Sequence, residues 1–382
     1  MKRKLVVFLL GLSLAYPLAV KADVNDALLQ KLVEKGTITS EEAQEIQSKN
    51  PLNGLKIGGV AYLDYSFGQT GGAATTDFNQ FTLTRAYINI NKEITPWFKV
   101  RITPDLYSDT TNGYVVRMKY AYADFLTPDM GHLTDNGIRI GLVQLPWLDF
   151  EESLNGYRMQ STMFQDKQKL VTSSDGGVSI LGNIGGKLSK EQIAEVGNKS
   201  YAGKYGSYHI GLYNGGGYSK TTDSNQNKSI QGRLTVRPLP DILPGLQLTY
   251  FGVSGKGNTA AEPDWTNNTG FISYQQKYFV ASGEHYSGKG NFSGGDSNSK
   301  SGYSFFGKVV LPMYEKVTLF GRYDLLDPNT DASNNNIETT IAGASYRIYS
   351  DNYIVAAYEK THNEANANPD DTKGQIVLQI SF

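Results

Sequence analysis

The 382-residue chain contains no cysteine. That excludes disulfides, covalent haem attachment, iron–sulfur clusters, Cys-ligated zinc and a lipid anchor on an N-terminal Cys. Histidine is scarce too. Only His132, His209, His285 and His362 occur, and none stands at a metal-site spacing such as His-Glu-x-x-His. The sequence therefore implies no metal and no cofactor. Past the N-terminal segment no apolar run approaches the ~18 residues that a membrane-crossing helix needs. An excess of positive charge is also missing, with 36 Lys and Arg against 37 Asp and Glu, so nothing points to a nucleic-acid partner.

What is abundant is Gly (41), Tyr (25) and Phe (16). The first residues carry an export address. Lys2, Arg3 and Lys4 precede the apolar stretch Leu5 to Leu14, and Val20-Lys21-Ala22 offers a small-residue cleavage site, so 1–22 read as a signal peptide. Removing its four basic residues leaves 32 basic side chains against 37 acidic ones. Residues 23–53 have helical spacing (Leu28, Leu29, Leu32, Val33), a Gly36 stop and a Thr39-Ser40-Glu41-Glu42 capping box. They are expected to form a periplasmic helical hairpin or spacer.

Residues 54–382 alternate with the period of strands. The chain ends on Gln375-Ile376-Val377-Leu378-Gln379-Ile380-Ser381-Phe382, with Ile376, Leu378, Ile380 and Phe382 on one face. Such an ending fits the closing strand of an outer-membrane barrel, with Phe382 as the signal for the barrel-assembly machinery. Strands are predicted near 55–67, 78–91, 97–107, 113–126, 136–145, 171–184, 203–214 and 228–238. They continue near 243–255, 267–275, 277–287, 301–311, 315–326, 336–348, 352–363 and 372–382. The reading is all-β: a transmembrane antiparallel β-barrel of about 16 strands, its connections alternately short and long, as spanning outer-membrane lipid requires. One connection, Leu145 to Leu170, is long and apolar, with Trp147, Phe150, Met159, Met163 and Phe164. It is expected to fold into the lumen. A short helix is predicted at Lys190 to Val196.

The chain resembles the family of the phosphate-selective porins O and P. The matching motifs are Phe81-Thr82-Leu83-Thr84-Arg85-Ala86, Arg139-Ile140-Gly141-Leu142-Val143-Gln144-Leu145-Pro146 and Gly177-Val178-Ser179-Ile180-Leu181-Gly182. Tyr213-Asn214-Gly215-Gly216-Gly217-Tyr218 and Gly321-Arg322-Tyr323-Asp324 match as well. The resemblance implies a passive channel, a homotrimer, narrowed by its third loop. The phosphate-binding members place several lysines at the constriction. Here the first half of the loop offers Asp149, Glu151 and Glu152, and Lys167 and Lys169 come only at its end.

Strand parity assigns the lumen face. Arg85, Lys99, Arg101, Arg117, Lys119 and Arg139 point inward from four consecutive strands and are expected to form a basic wall. On the fourth strand Val116, Met118, Tyr120 and Tyr122 are assigned outward. The wall is expected to face Asp149, Glu151 and Glu152 across the pore, with Arg158 reaching the wall or tying the loop to itself. The expected function is passive diffusion of small hydrophilic solutes and ions through the bacterial outer membrane, without catalysis. The alternatives are a channel selective for phosphate, another oxyanion or a short sugar, and an outer-membrane barrel enzyme or adhesin. For an enzyme, His209 and His285 are the formal candidates. Glu284 and His285 are strand neighbours on opposite faces, so they form no simple acid–base pair.

Overall fold

The computed structural model describes residues 22–49, 52–71, 75–109, 111–220, 222–365 and 369–382. Nearly all of the expected signal peptide lies outside them. The chain divides into two compact units, the N-terminal segment up to Leu55 and the body Lys56–Ser381.

The first unit holds two helices, α1 (Ala22–Glu34) and α2 (Ser40–Lys49). Gly36, at φ +66°, ends the first by donating to Val33 O at 2.9 Å. The capping box forms as the sequence predicts. Glu42 N donates to Thr39 Oγ1 at 3.1 Å and Thr39 N to Glu42 Oε2 at 2.8 Å.

The second unit is a closed antiparallel barrel of sixteen strands, each paired with its sequence neighbours and the last with the first. In order they are β1 (Leu55–Thr70), β2 (Thr76–Thr95), β3 (Phe98–Asp109), β4 (Gly113–Leu126), β5 (Leu133–Gln144) and, after helices α3 (Leu148–Asn155) and α4 (Phe164–Lys167), β6 (Ser174–Ile184). Helix α5 (Lys190–Val196) precedes β7 (Gly206–Tyr213), β8 (Ser229–Val236), β9 (Leu246–Lys256), β10 (Asp264–Gln276) and β11 (Phe279–Lys289). The ring ends with β12 (Ser299–Val310), β13 (Val317–Asp327), β14 (Ile337–Tyr349), β15 (Asn352–Asn363) and β16 (Asp371–Ser381). Every predicted strand is present, displaced by at most a few residues. Closure matters because an open sheet edge has no hydrogen-bond partner in hydrocarbon.

Alternation gives the barrel its two faces. Ile376 and Ile380 of β16 are exposed, whereas Gln375 and Val377 are buried in the interior. The same holds for exposed Leu248, Tyr250 and Ile272 beside buried Thr249, Phe251 and Phe271. The outer face thus presents an apolar belt suited to lipid.

The connection from β5 to β6 lies inside the barrel, as its composition predicts. Trp147, Leu148, Phe150 and Leu154 pack on Phe251, Val253, Trp265 and Phe271 from β9 and β10. Tyr157 and Met159 pack on Phe306, Phe320, Ile341, Val355 and Val377, with Tyr157 stacked on Phe320 at 3.9 Å. Phe164 and Leu170 join Tyr286 and Leu326. Burying each large apolar side chain contributes about 1.5–3 kcal/mol, so the loop has many anchors and no single one on which its seat depends.

Candidate pore constriction

The loop leaves the inner face of β2 to β5 opposite it, and there the predicted basic side chains come together. Asp105 of β3 is fully buried and its Oδ2 accepts from Arg85 Nη1 and from Arg117 Nε, both at 3.0 Å. Arg117 also donates to Tyr218 Oη at 2.7 Å. Arg139 of β5 donates to Asp124 Oδ2 at 3.1 Å and to Gln144 Oε1 at 2.7 Å. Arg101 donates instead to neutral partners, Asn89 Oδ1 at 2.8 Å and Thr103 Oγ1 at 3.1 Å. Neither Arg101 nor Lys119 has a carboxylate within ion-pair distance among the described residues. Lys99 stands apart, near the turn end of β3, paired with half-exposed Glu93 at 3.0 Å.

Aromatic rings line these cations. The Arg101 guanidinium lies 4.6 Å from the Tyr120 ring centroid, and Lys119 Nζ lies 4.6 Å from that of Tyr87 and 5.4 Å from that of Tyr120. This arrangement corrects the parity assigned to β4. Thr103 pairs with Tyr120 but Pro104 pairs with Met118, so Lys119 is an extra residue and the ladder shifts there. Val116 and Met118 face outward as assigned, while Tyr120 and Tyr122 turn into the lumen and are buried. A bulge inverts the faces of everything beyond it, and nothing in the alternation marks it in advance.

The loop acids do not act as one group. In α3, positions 149 and 152 lie three apart on one side of the helix, and 151 lies on the other. Asp149 Oδ1 accepts from Gln144 Nε2 at 2.7 Å and its Oδ2 from Tyr201 Oη at 2.5 Å. Glu152 pairs with Arg158, which also reaches Asp166 at 3.3 Å. Arg158 therefore ties the loop to itself. Burial opposes its charge most strongly, but Glu152, Tyr87 and Asp166 outweigh that and hold its pKa above the ordinary value.

Glu151 departs from the expected acidic face. It is buried with no partner for Oε2 among the described residues, turned towards Glu284, Arg322 and Asp324 of β11 and β13. Burial, and after it the facing Glu284, push its carboxyl well above the ordinary range.

Several residues that hold the site have no counterpart in the sequence reading. Arg233 Nε donates to Pro146 O at 3.0 Å, Trp265 Nε1 to Leu170 O at 3.1 Å and Arg322 Nη1 to Thr162 O at 2.8 Å. Lys308 Nζ donates to Leu154 O at 2.8 Å and Asn155 O at 3.0 Å, meeting the carbonyl end of α3 with a positive charge. Alternation could have put Arg233, Lys308 and Arg322 on the inner face. Their partners are main-chain carbonyls, which no side-chain pattern reveals. Of the histidines, His209 of β7 stands directly across the strand ladder from Arg233 of β8. His209 is buried with Nε2 3.4 Å from Tyr213 Oη, and His285 lies 5.0 Å, ring to ring, from Tyr303.

No family model and no curated protein matches the chain. Solved structures do resemble it. An anion-selective porin from Comamonas acidovorans superposes with a TM-score of 0.59 at 10% identity, over 86% of this chain and 99% of that one. The outer membrane channel DcaP of Acinetobacter baumannii gives 0.55 at 13% identity, over 86% and 97%. OmpT of Vibrio cholerae, an outer membrane protein solved in a trimer form, gives 0.52 at 10% identity, over 86% and 99%. The chain has the fold of the bacterial outer-membrane porins.

Proposed function

We propose that this chain is an outer-membrane channel through which small hydrophilic solutes and ions diffuse passively, with no catalytic step. The observation that carries the reading is the connection between β5 and β6. It is packed within a closed sixteen-strand barrel and leaves the inner face of β2 to β5 lined by charged and hydroxyl-bearing groups. On this reading Arg85, Arg101, Arg117, Lys119 and Arg139 bound the solute path on one side, with Asp149, Glu152 and Arg158 on the other. Lys99 belongs to the turn-side mouth, and Glu151 to the loop's seat. Two of the wall cations, Arg101 and Lys119, lack a carboxylate partner among the described residues, which biases the path towards anions.

The same uncompensated pair favours a second, narrower reading, a channel selective for phosphate or another oxyanion. It accords with the sequence resemblance to the phosphate-selective porins. We further propose a homotrimer, export by the segment 1–22, a periplasmic position for α1 and α2, and Phe382 as the residue read by the barrel-assembly machinery.

Single-channel recording in planar bilayers under a KCl gradient tests these together. Openings in threes with weak anion preference support the general channel. Block by micromolar phosphate supports the narrower one, and absence of any conductance overturns both.

A further inference from the structure

The run Tyr213-Asn214-Gly215-Gly216-Gly217-Tyr218 after β7 is a built turn. Asp175, buried in β6, accepts from Gly176 N at 2.7 Å and from Gly215 N at 2.6 Å. Asn214 N donates to Gly176 O at 2.9 Å and Tyr218 N to Ser174 O at 3.0 Å, so the turn is clamped at both ends. Gly215 and Gly217 take φ values of +98° and +76°, a region other residues rarely adopt. A Cβ at 217 would also come within 3.0 Å of Thr172. The consequence of this turn is the position of Tyr218, which is set against Arg117 of β4.

There Tyr218 meets Arg117. Its hydroxyl accepts from Arg117 Nη2 at 2.7 Å, and its ring centroid lies 4.3 Å from the guanidinium carbon. Tyr107 supplies a second ring at 4.1 Å. Beneath them Asp105 is shared between Arg85 and Arg117, one carboxylate against two guanidiniums, so the cluster keeps a positive charge. Rings and a hydroxyl cover that charge. Arg101 and Lys119 lie against rings of the wall's own strands, Tyr120 of β4 and Tyr87 of β2.

We propose that Tyr218 determines the selectivity of the channel by masking the Arg85–Asp105–Arg117 cluster and narrowing the lumen in front of it. A permeating ion then meets the ring and hydroxyl of Tyr218 before the Arg117 guanidinium. Charge held behind a ring and committed to close partners presents a weaker field to a passing ion than charge facing water. The inference rests on the channel reading above.

The test uses the full chain in planar bilayers. Tyr218→Ala should raise single-channel conductance and increase the chloride-to-potassium permeability ratio about twofold, because the cluster becomes open to the path. Tyr218→Trp, which fills more of the lumen, should lower conductance. In an Arg117→Ala background, Tyr218→Ala should still raise conductance but leave the permeability ratio where Arg117→Ala alone sets it. Wild-type conductance and selectivity in both the Ala and Trp variants, with a conducting wild type, would overturn the masking role and leave the channel reading intact. A silent wild type would overturn both.

Discussion

The two halves of the barrel interior use the same cationic residues for opposite ends. Along β2 to β5, Arg101 and buried Lys119 lie beside aromatic rings with no carboxylate partner among the described residues, and Arg85, Arg117 and Arg139 pair with Asp105 and Asp124. Along β8 to β13, Arg233, Lys308 and Arg322 are committed to carbonyl oxygens of the inserted loop. A cation whose hydrogen bonds end on buried peptide groups is a structural fixture. One whose partners are side chains of the wall itself is not committed to holding the loop. Which kind a residue becomes depends on whether the loop lies against it.

That contrast breaks most visibly at Arg322. It pairs with fully buried Asp324 at 2.9 Å and holds Thr162 O. Arg322→Ala strands a buried carboxylate and frees the loop, and should cost about 3–5 kcal/mol of stability, read as earlier unfolding in detergent and noisier open-channel current. The wall should show its effect in selectivity instead. Arg101→Gln combined with Lys119→Gln should cut the chloride-to-potassium permeability ratio about threefold, measured as reversal potential under a salt gradient. Arg117→Gln alone should shift that ratio less than Arg101→Gln alone, since its charge is already committed.

Glu151 sharpens the structural side of the comparison through pH. Its raised pKa means that the folded protein keeps the carboxyl protonated where an unfolded chain would release the proton. This contribution is complete below the ordinary carboxylate range and is lost as pH rises through the raised value. Unfolding temperature in detergent should therefore fall across that interval, and Glu151→Gln should flatten the profile. Lys99→Gln should have the smallest effect. Its partner Glu93 is half exposed, and neither selectivity nor stability should move measurably.

Strand number, strand positions, both N-terminal helices, α5 and the inward fold of the β5–β6 connection were legible in the sequence. They depend on local properties: period-2 alternation, capping residues, and an apolar loop that water would not accommodate. The inward side of Arg85, Arg101, Arg117, Lys119 and Arg139 was legible for the same reason. The facing of Tyr120 and Tyr122 was not, because a single extra residue at Lys119 inverts parity without altering composition. The separation of Glu151 from Asp149 and Glu152 was hidden until that stretch wound into α3. Tyr218 is 101 residues from Arg117 in sequence, and Asp105 takes its two arginines from different strands. Local pattern thus determined the barrel and the side to which each wall cation points. Only the closed tertiary structure decided which cations are spent on the loop and which on the wall itself, because those partners are carbonyls and rings brought together by barrel closure.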